Sequence, residues 1–495
     1  MNHGRLARGA VWNLLGQVVP LVAALVCIPR LVHSLGAERF GVLTLAWALV
    51  GYFTLFDLGI GPAVTRALSA FRAEGREADA PGWFWTAIAL TFALGLVGAL
   101  IVAGLAPWLA HSALRVTPGL QAETRGILLV LAFSLPFVTV SAASGGALAA
   151  YQRFGALNAV RVPLGILTFL APLLVTFWTT NLAAIGGALA LTRGLGALAN
   201  LALCARHIPG VGRPTALRRE AVRPLLGYGG WLTVSAVAGP FMVYFDRFLI
   251  GSLLSVAMVA YYTTPYDLTT RVWVLSQSVV GVLFPAMSES FSGDPAAVQR
   301  LFGWGIRGTA ALVFPITFVL VLFAPEGMGL WLGGDFARQS GPILRWIAAG
   351  AFLNALAQIA LAAVQASGKP RWSATLHVVE LPLYLAALVW LVQARGIEGA
   401  AQAWFLRVVF DTAALFVLAA RRLEGGRRPS LFAGALCCGA LGTFAIAVAL
   451  PTLQARGVFG IVVAALFAWA VHRSRIVQRL ALGSWVARGR AAGGA

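Results

Sequence analysis

An all-α polytopic membrane protein of about fourteen transmembrane helices is predicted for this 495-residue chain, and three observations predict it. First, the chain is 59% hydrophobic and only 11% charged, with a mean hydropathy of +0.84; soluble domains sit near ~45–50% apolar and ~25% charged. Second, apolar runs of bilayer length follow one another along the chain, separated by short loops. Third, a single offset lays the first half of the chain on the second. The net charge of +20 does not point to nucleic acid, because the arginines punctuate apolar runs instead of lining a solvated face.

A hydrocarbon core about 30 Å thick needs roughly 17–25 helical residues, because backbone polar groups find no water there. On that basis the spans run over 9–34, 40–62, 83–106, 126–150, 156–178, 183–205, 225–250, 257–285, 304–325, 342–366, 373–394, 399–420, 431–451 and 457–473. The first is read as an uncleaved span: it exceeds a signal-peptide core and carries Pro29-Arg30 where a cleavage site would need small residues. All four cysteines fall within apolar segments, which excludes a disulfide framework or a zinc-type spacing as an organising device.

Loop charge sets the orientation. Arg66, Arg72, Arg76, Arg153, the cluster from Arg206 to Arg223, Arg300, Lys369, Arg371 and Arg421 to Arg428 fall on one side, against a much sparser opposite set that includes Arg39, Arg115, Arg338 and Arg456. Cytoplasmic loops are enriched in Lys and Arg, so both termini are expected in the cytoplasm. The basic amphipathic tail 474–495 is expected to rest on anionic lipid.

Trp12 and Trp231, Trp85 and Trp304, and Pro163 and Pro382 are each 219 residues apart. The offset implies a six-helix half over 1–205, a basic cytoplasmic linker over 206–224, a second six-helix half over 225–420, two further helices over 421–473 and the tail. Both halves enter from the cytoplasm, so the repeats are parallel, and two such halves around a central cavity form a carrier architecture that exposes a midplane site alternately to each side.

Ionisable residues at depth are the candidate site, since each costs at least ~2.5–3.5 kcal/mol against lipid. Arg161, Arg193, Arg271 and Arg407 are the cations, and Asp246, Asp267, Glu380 and Asp411 the acids, with Asp57 near the cytoplasmic end of the second span. Asp267 with Arg271, and Arg407 with Asp411, are spaced i, i+4 and would pair on one helix face. In "YFDRFLIG" Arg247 is expected either to snorkel to the outer interface or to belong with Asp246 at a cavity mouth or cation site. His377, a lone histidine at depth, reads as a packing group.

"GAVWNLLGQVVPLVAALVCIPRLVHSLGAERFGVLTLAWALVGYFTLFDLGIGPAVTR" (9–66), "YFDRFLIG", "YYTTPYDLTTRVWVLSQSVVGVLFPAMS" and "AWFLRVVFDTAAL" resemble the Wzx/PST-type polysaccharide flippases of the multidrug/oligosaccharidyl-lipid/polysaccharide exporter superfamily. The resemblance covers spans one to twelve. It implies movement of undecaprenyl-diphosphate-linked oligosaccharide repeat units across the bacterial inner membrane for exopolysaccharide or O-antigen synthesis, driven by an ion gradient. A dianionic pyrophosphate matches a cavity with Arg161, Arg193, Arg271 and Arg407, with Tyr266 against the sugars; Asp246, Asp267, Glu380 and Asp411 are then ion-coupling or ion-pair candidates. The implied partners are the lipid-linked cargo, membrane lipid and the polymerase or export machinery, with the protein itself a monomer.

Other classes fit less well. The only lysine, Lys369 in "SGKPRW", is not followed by Ser or Thr, so the chain has no phosphate-cradling loop of its own. No cofactor is expected, nor a metal. The outer loops are too short for a glycosyltransferase or ligase domain, and the histidines lack ligand spacing, so the chain reads as a non-enzyme. A cation/multidrug antiporter of the related branch and a peptidoglycan-precursor flippase are the alternatives.

Overall fold

The computed structural model describes residues 3–52, 58–291, 294–368, 371–423 and 426–473. Asp57, Lys369 and the tail lie outside them. Fifteen α-helices are described: α1 (His3–Tyr52), α2 (Ile60–Ala73), α3 (Ala80–Trp108), α4 (Pro118–Ala150), α5 (Phe154–Val175), α6 (Leu182–His207), α7 (Arg219–Leu253), α8 (Val256–Thr270), α9 (Trp273–Ser290), α10 (Pro295–Leu322), α11 (Ala324–Leu332), α12 (Gly334–Ala366), α13 (Arg371–Arg422), α14 (Arg427–Ala449) and α15 (Leu453–Arg473). Eleven helical stretches among the described residues are long and apolar enough to cross a membrane, and the chain is an all-α, multi-pass membrane protein.

Two of the stretches bend at a glycine. α1 bends at Gly36 (φ 72°, ψ 168°) and α13 at Gly396 (φ 62°, ψ −142°), backbone that an L side chain rarely adopts, so each supplies two legs. The legs of α13 run antiparallel: a Cβ at Gly399 would strike the Leu391 carbonyl, while Glu380 meets Arg407 and His377 meets Asp411 at growing distance from the bend. Gly396→Val should therefore cost about 1–3 kcal/mol of backbone strain and lower the detergent-solubilised melting temperature; an unchanged transition would show that the bend tolerates another geometry.

Some helix starts lie close to 219 residues apart. The second leg of α1 begins at Ala37, after the bend, and 37 plus 219 is 256, the first residue of α8. The leg ends at Tyr52, matching Arg271, one residue past the end of α8. The starts of α4 and α5, Pro118 and Phe154, map to within three residues of the starts of α12 and α13. The chain between α8 and α9 turns through i→i+3 bonds at Val272, Val274 and Leu275, and α2 is preceded by Leu58 and Gly59, both at positive φ.

The chain divides into two compact units, Met1–Tyr261 and Tyr262–Ala495. In unit one α4 packs on α2, α3 and α6 through small residues: Gly61 faces the Ala142 carbonyl and Gly95 faces Pro136, while Thr139 Oγ1 donates to the Thr91 carbonyl at 2.8 Å. Such contacts let helix backbones approach where lipid offers no hydrophobic drive for association. The segment 206–224 packs with this unit. Ile208, Val211 and Ala221 are buried in its core, and Arg218 N donates to Thr86 Oγ1 at 2.8 Å, its guanidinium 3.9 Å from Asp79. Next to it, hydrogen bonds to Asp79 and Glu74 push the Arg76 guanidinium above its ordinary pKa. Because Arg218 and Asp79 are half-exposed, Arg218→Ala should cost under about 1 kcal/mol, read as a melting shift of no more than a few degrees.

In unit two the Ala-rich α12 is the most enclosed span, with α9, α10, α11 and α13 packed around it. Phe314 and Phe318 of α10 receive Phe444 of α14 and Phe459 and Phe467 of α15. On the sparse side of the loop-charge asymmetry, Arg39 pairs with Glu123 (2.9 Å), Arg338 with Asp335 (2.6 Å) and Arg456 with Glu326 (2.7 Å).

Candidate functional site

The densest group of charges at depth is on the two legs of α13. His377, Glu380 and Tyr384 follow one another at i, i+3 and i+7, so they share the inward face, while Val378, Val379, Leu383 and Trp390 are exposed on the other. Arg407 and Asp411, one turn apart, come in from the second leg. Arg407 Nε lies 3.4 Å from Glu380 Oε1 and the guanidinium 5.4 Å from the Tyr384 ring centroid; His377 Nε2 lies 3.6 Å from Asp411 Oδ1.

This arrangement corrects the expected pairing. Arg407 and Asp411 are correctly spaced to pair along one helix, yet each takes its partner from the opposite leg. Glu380 is 2% exposed and Asp411 6%, and neither oxygen of Glu380 nor Oδ1 of Asp411 makes a hydrogen bond. His377, half-exposed, is the accessible member of the group. One ligand atom from each of His377, Glu380 and Asp411 lies within 4.8 Å of the others. The pattern H-x-x-E-x-x-x-Y was the signal for His377 and Tyr384, and reading His377 as an isolated histidine missed it.

In unit one Arg193 occupies the inward face of α6 with Leu189, Gly196 and Ala197, opposite exposed Leu191, Leu195 and Leu198. It is half-buried and has no hydrogen bond, ion pair or ring partner among the described residues. Arg161 on α5 is exposed and likewise unpaired. Arg193 lies 11 residues from the start of α6 and 14 from its end, about 16 and 21 Å of helix, hence near mid-depth.

The remaining expected residues are dispersed. Arg271 sits in the break after α8, exposed and outside the helix that would have set it i, i+4 from Asp267. Tyr266 is 1% exposed, stacked on Tyr262 (5.9 Å) and edge-on to Trp404 (5.7 Å), so it packs and presents no free surface. Arg247 does not snorkel. It is 3% exposed with its guanidinium 5.2 Å from the Tyr244 ring, and its amide donates to Asp246 Oδ1 at 2.8 Å; Tyr244 in turn meets Tyr52 at 5.6 Å.

Many long apolar helices, some of them carrying inward-facing charges at depth, define a multi-pass all-α membrane fold. Solved structures share it. "Lipid II flippase MurJ, inward closed conformation" aligns with a TM-score of 0.70 at 12% identity, covering 95% of this chain and all of that one. An inward-facing multidrug resistance MATE family transporter aligns at 0.68 and 14%, over 86% and 98%. The family match is direct: residues 6–291, more than half of the chain, match the family described as "Polysaccharide biosynthesis protein", and the chain belongs to that family. The protein named "Putative O-antigen transporter" from Shigella flexneri is 27% identical over 417 residues, 82% of this chain and 96% of that protein.

Proposed function

We propose that the protein is a flippase that carries undecaprenyl-diphosphate-linked oligosaccharides from the cytoplasmic to the outer leaflet of a bacterial inner membrane, with both termini cytoplasmic. Arg193 is the observation that carries this reading. A guanidinium at mid-depth with no carboxylate beside it among the described residues costs several kcal/mol unless an anion or water satisfies it, and a diphosphate accepts its fork of N–H donors bidentately. Arg161 on the neighbouring helix of the same unit offers further charge. A cation exporter would place acids at these positions instead. The family and the Shigella relative point the same way.

The α13 cluster is the coupling site of this proposal. Arg407 has two carboxylates within reach of its helix face, Glu380 across the hairpin and Asp411 one turn on. A proton or cation entering past His377 and taken up at Glu380 releases Arg407 toward Asp411, so the charge state of the cluster sets how the two legs are tied. Glu380→Gln should then leave the protein folded while transport loses its response to an imposed pH or sodium gradient; an unaltered response would remove the cluster from coupling.

Deleting the gene in its host tests the function. Lipid-linked glycan should accumulate on the cytoplasmic side while the surface polymer disappears and glycosyltransferase activity persists. Unchanged intermediates with heightened sensitivity to cationic compounds would replace the flippase by an exporter.

A further inference from the structure

We infer that Gln277, Gln358 and Asn354 form a subsite for carbohydrate hydroxyls, an inference that rests on the proposed cargo and assigns where its first sugar is held. Gln277 is on α9, and Asn354 and Gln358 are one turn apart on α12. Gln277 Nε2 donates to Gln358 Oε1 at 3.5 Å, and Gln358 Nε2 donates to Asn354 Oδ1 at 3.5 Å. The three amides thus make a ladder that runs from exposed Gln277 through half-buried Gln358 to Asn354, which is 5% exposed.

Three properties mark the ladder as a binding surface. Its bonds are long against the usual 2.7–3.2 Å, so a better-placed partner exchanges into them at small cost. Its capacity is mostly unspent: among the described residues no other hydrogen bond engages these side chains, leaving the Gln277 oxygen and several N–H groups available. Its surroundings are wrong for lipid. Val378, Leu383 and Trp390 are exposed elsewhere in unit two and Val282 and Phe284 further along α9, whereas at the start of α9 Gln277 and Ser278 are exposed, with Arg271 exposed just before the helix, and a Cβ at Gly281 would meet open space. Polar amides facing hydrocarbon are costly, so this strip faces water.

The chemistry selects carbohydrate. A sugar hydroxyl is at once donor and acceptor, and neighbouring hydroxyls on one ring match a row of amides that alternate N–H and C=O. The ladder holds no carboxylate to attract a cationic drug. Arg271 precedes Gln277 by six residues, in the turn just before α9, which sets a phosphate-binding charge near a hydroxyl-binding row. Gln277 is 13 residues from the cytoplasmic end of α9 and Gln358 eight from that of α12, about 20 and 12 Å, on the side from which the cargo enters.

The test uses full-length protein in detergent micelles and two probes: sugar-free undecaprenyl diphosphate, and the lipid-linked glycan that accumulates in the deletion strain. Gln277→Ala and Gln358→Ala should each weaken binding of the glycan-bearing lipid about five- to tenfold, the loss of one or two hydrogen bonds, with binding of the sugar-free lipid and the melting temperature unchanged. Equal loss for both lipids, no loss for either, or a lowered melting temperature with parallel weakening would reduce the ladder to a helix-to-helix contact and overturn the subsite. Failure of the unaltered protein to bind either lipid would overturn the flippase reading itself, and the subsite with it.

Discussion

Arg407→Ala should destabilise the protein by about 3–5 kcal/mol and abolish transport. Glu380 is buried with neither oxygen hydrogen-bonded, and Arg407 at 3.4 Å is its counter-charge. Removing the guanidinium leaves Glu380 and Asp411 as two acids in one apolar setting, with His377 on Asp411. Breaking one side of a buried pair is far more costly than removing both sides. The double variant Glu380→Gln with Arg407→Met should therefore regain most of the lost stability, since it replaces an ion pair by groups of similar volume, and still fail to transport. Thermal unfolding in detergent reads the first quantity and surface polymer the second. Recovery of transport in the double variant would make the pair a structural tie and nothing more.

Arg193→Ala should behave in the opposite way, with transport falling about 10- to 100-fold while stability holds or rises. A charge-assisted hydrogen bond to phosphate is worth roughly 1.5–3 kcal/mol, which sets the size of the loss. Stability does not suffer because no group among the described residues pairs with this guanidinium, and its removal takes an unsatisfied charge out of the membrane. Arg193→Lys should restore part of the activity, since a point charge still attracts the diphosphate but cannot grip it bidentately. Full activity in the alanine variant would remove Arg193 from the path.

The sequence and the structure agree wherever the physics is local or periodic. Apolar length marks the spans, and residues 219 apart, Ala37 and Val256, each begin a helical leg. What the sequence could not show is which residue crosses to which. The i, i+4 spacing of Arg407 and Asp411 is real on its own leg, but the bend at Gly396 brings a second acid to 3.4 Å from Arg407 and a histidine to 3.6 Å from Asp411. The same holds for Arg247: position near a helix end suggests snorkelling, whereas packing against Tyr244 covers it. Tyr266 looked like a sugar platform within a Tyr- and Thr-rich stretch, and its neighbours Tyr262 and Trp404 enclose it. Arg271 falls one residue past the end of α8 at Thr270, a helix end that no Gly or Pro announces at that point.

The most direct measurement is transbilayer movement in proteoliposomes containing only the purified protein and the lipid-linked glycan from the deletion strain, followed by the accessibility of the sugar to membrane-impermeant periodate. Protein-dependent movement, lost in Arg193→Ala and Arg407→Ala vesicles and accelerated by an imposed ion gradient, is the result expected. Movement no faster than in protein-free liposomes, or as fast with both arginines replaced, would contradict a flippase built on these charges.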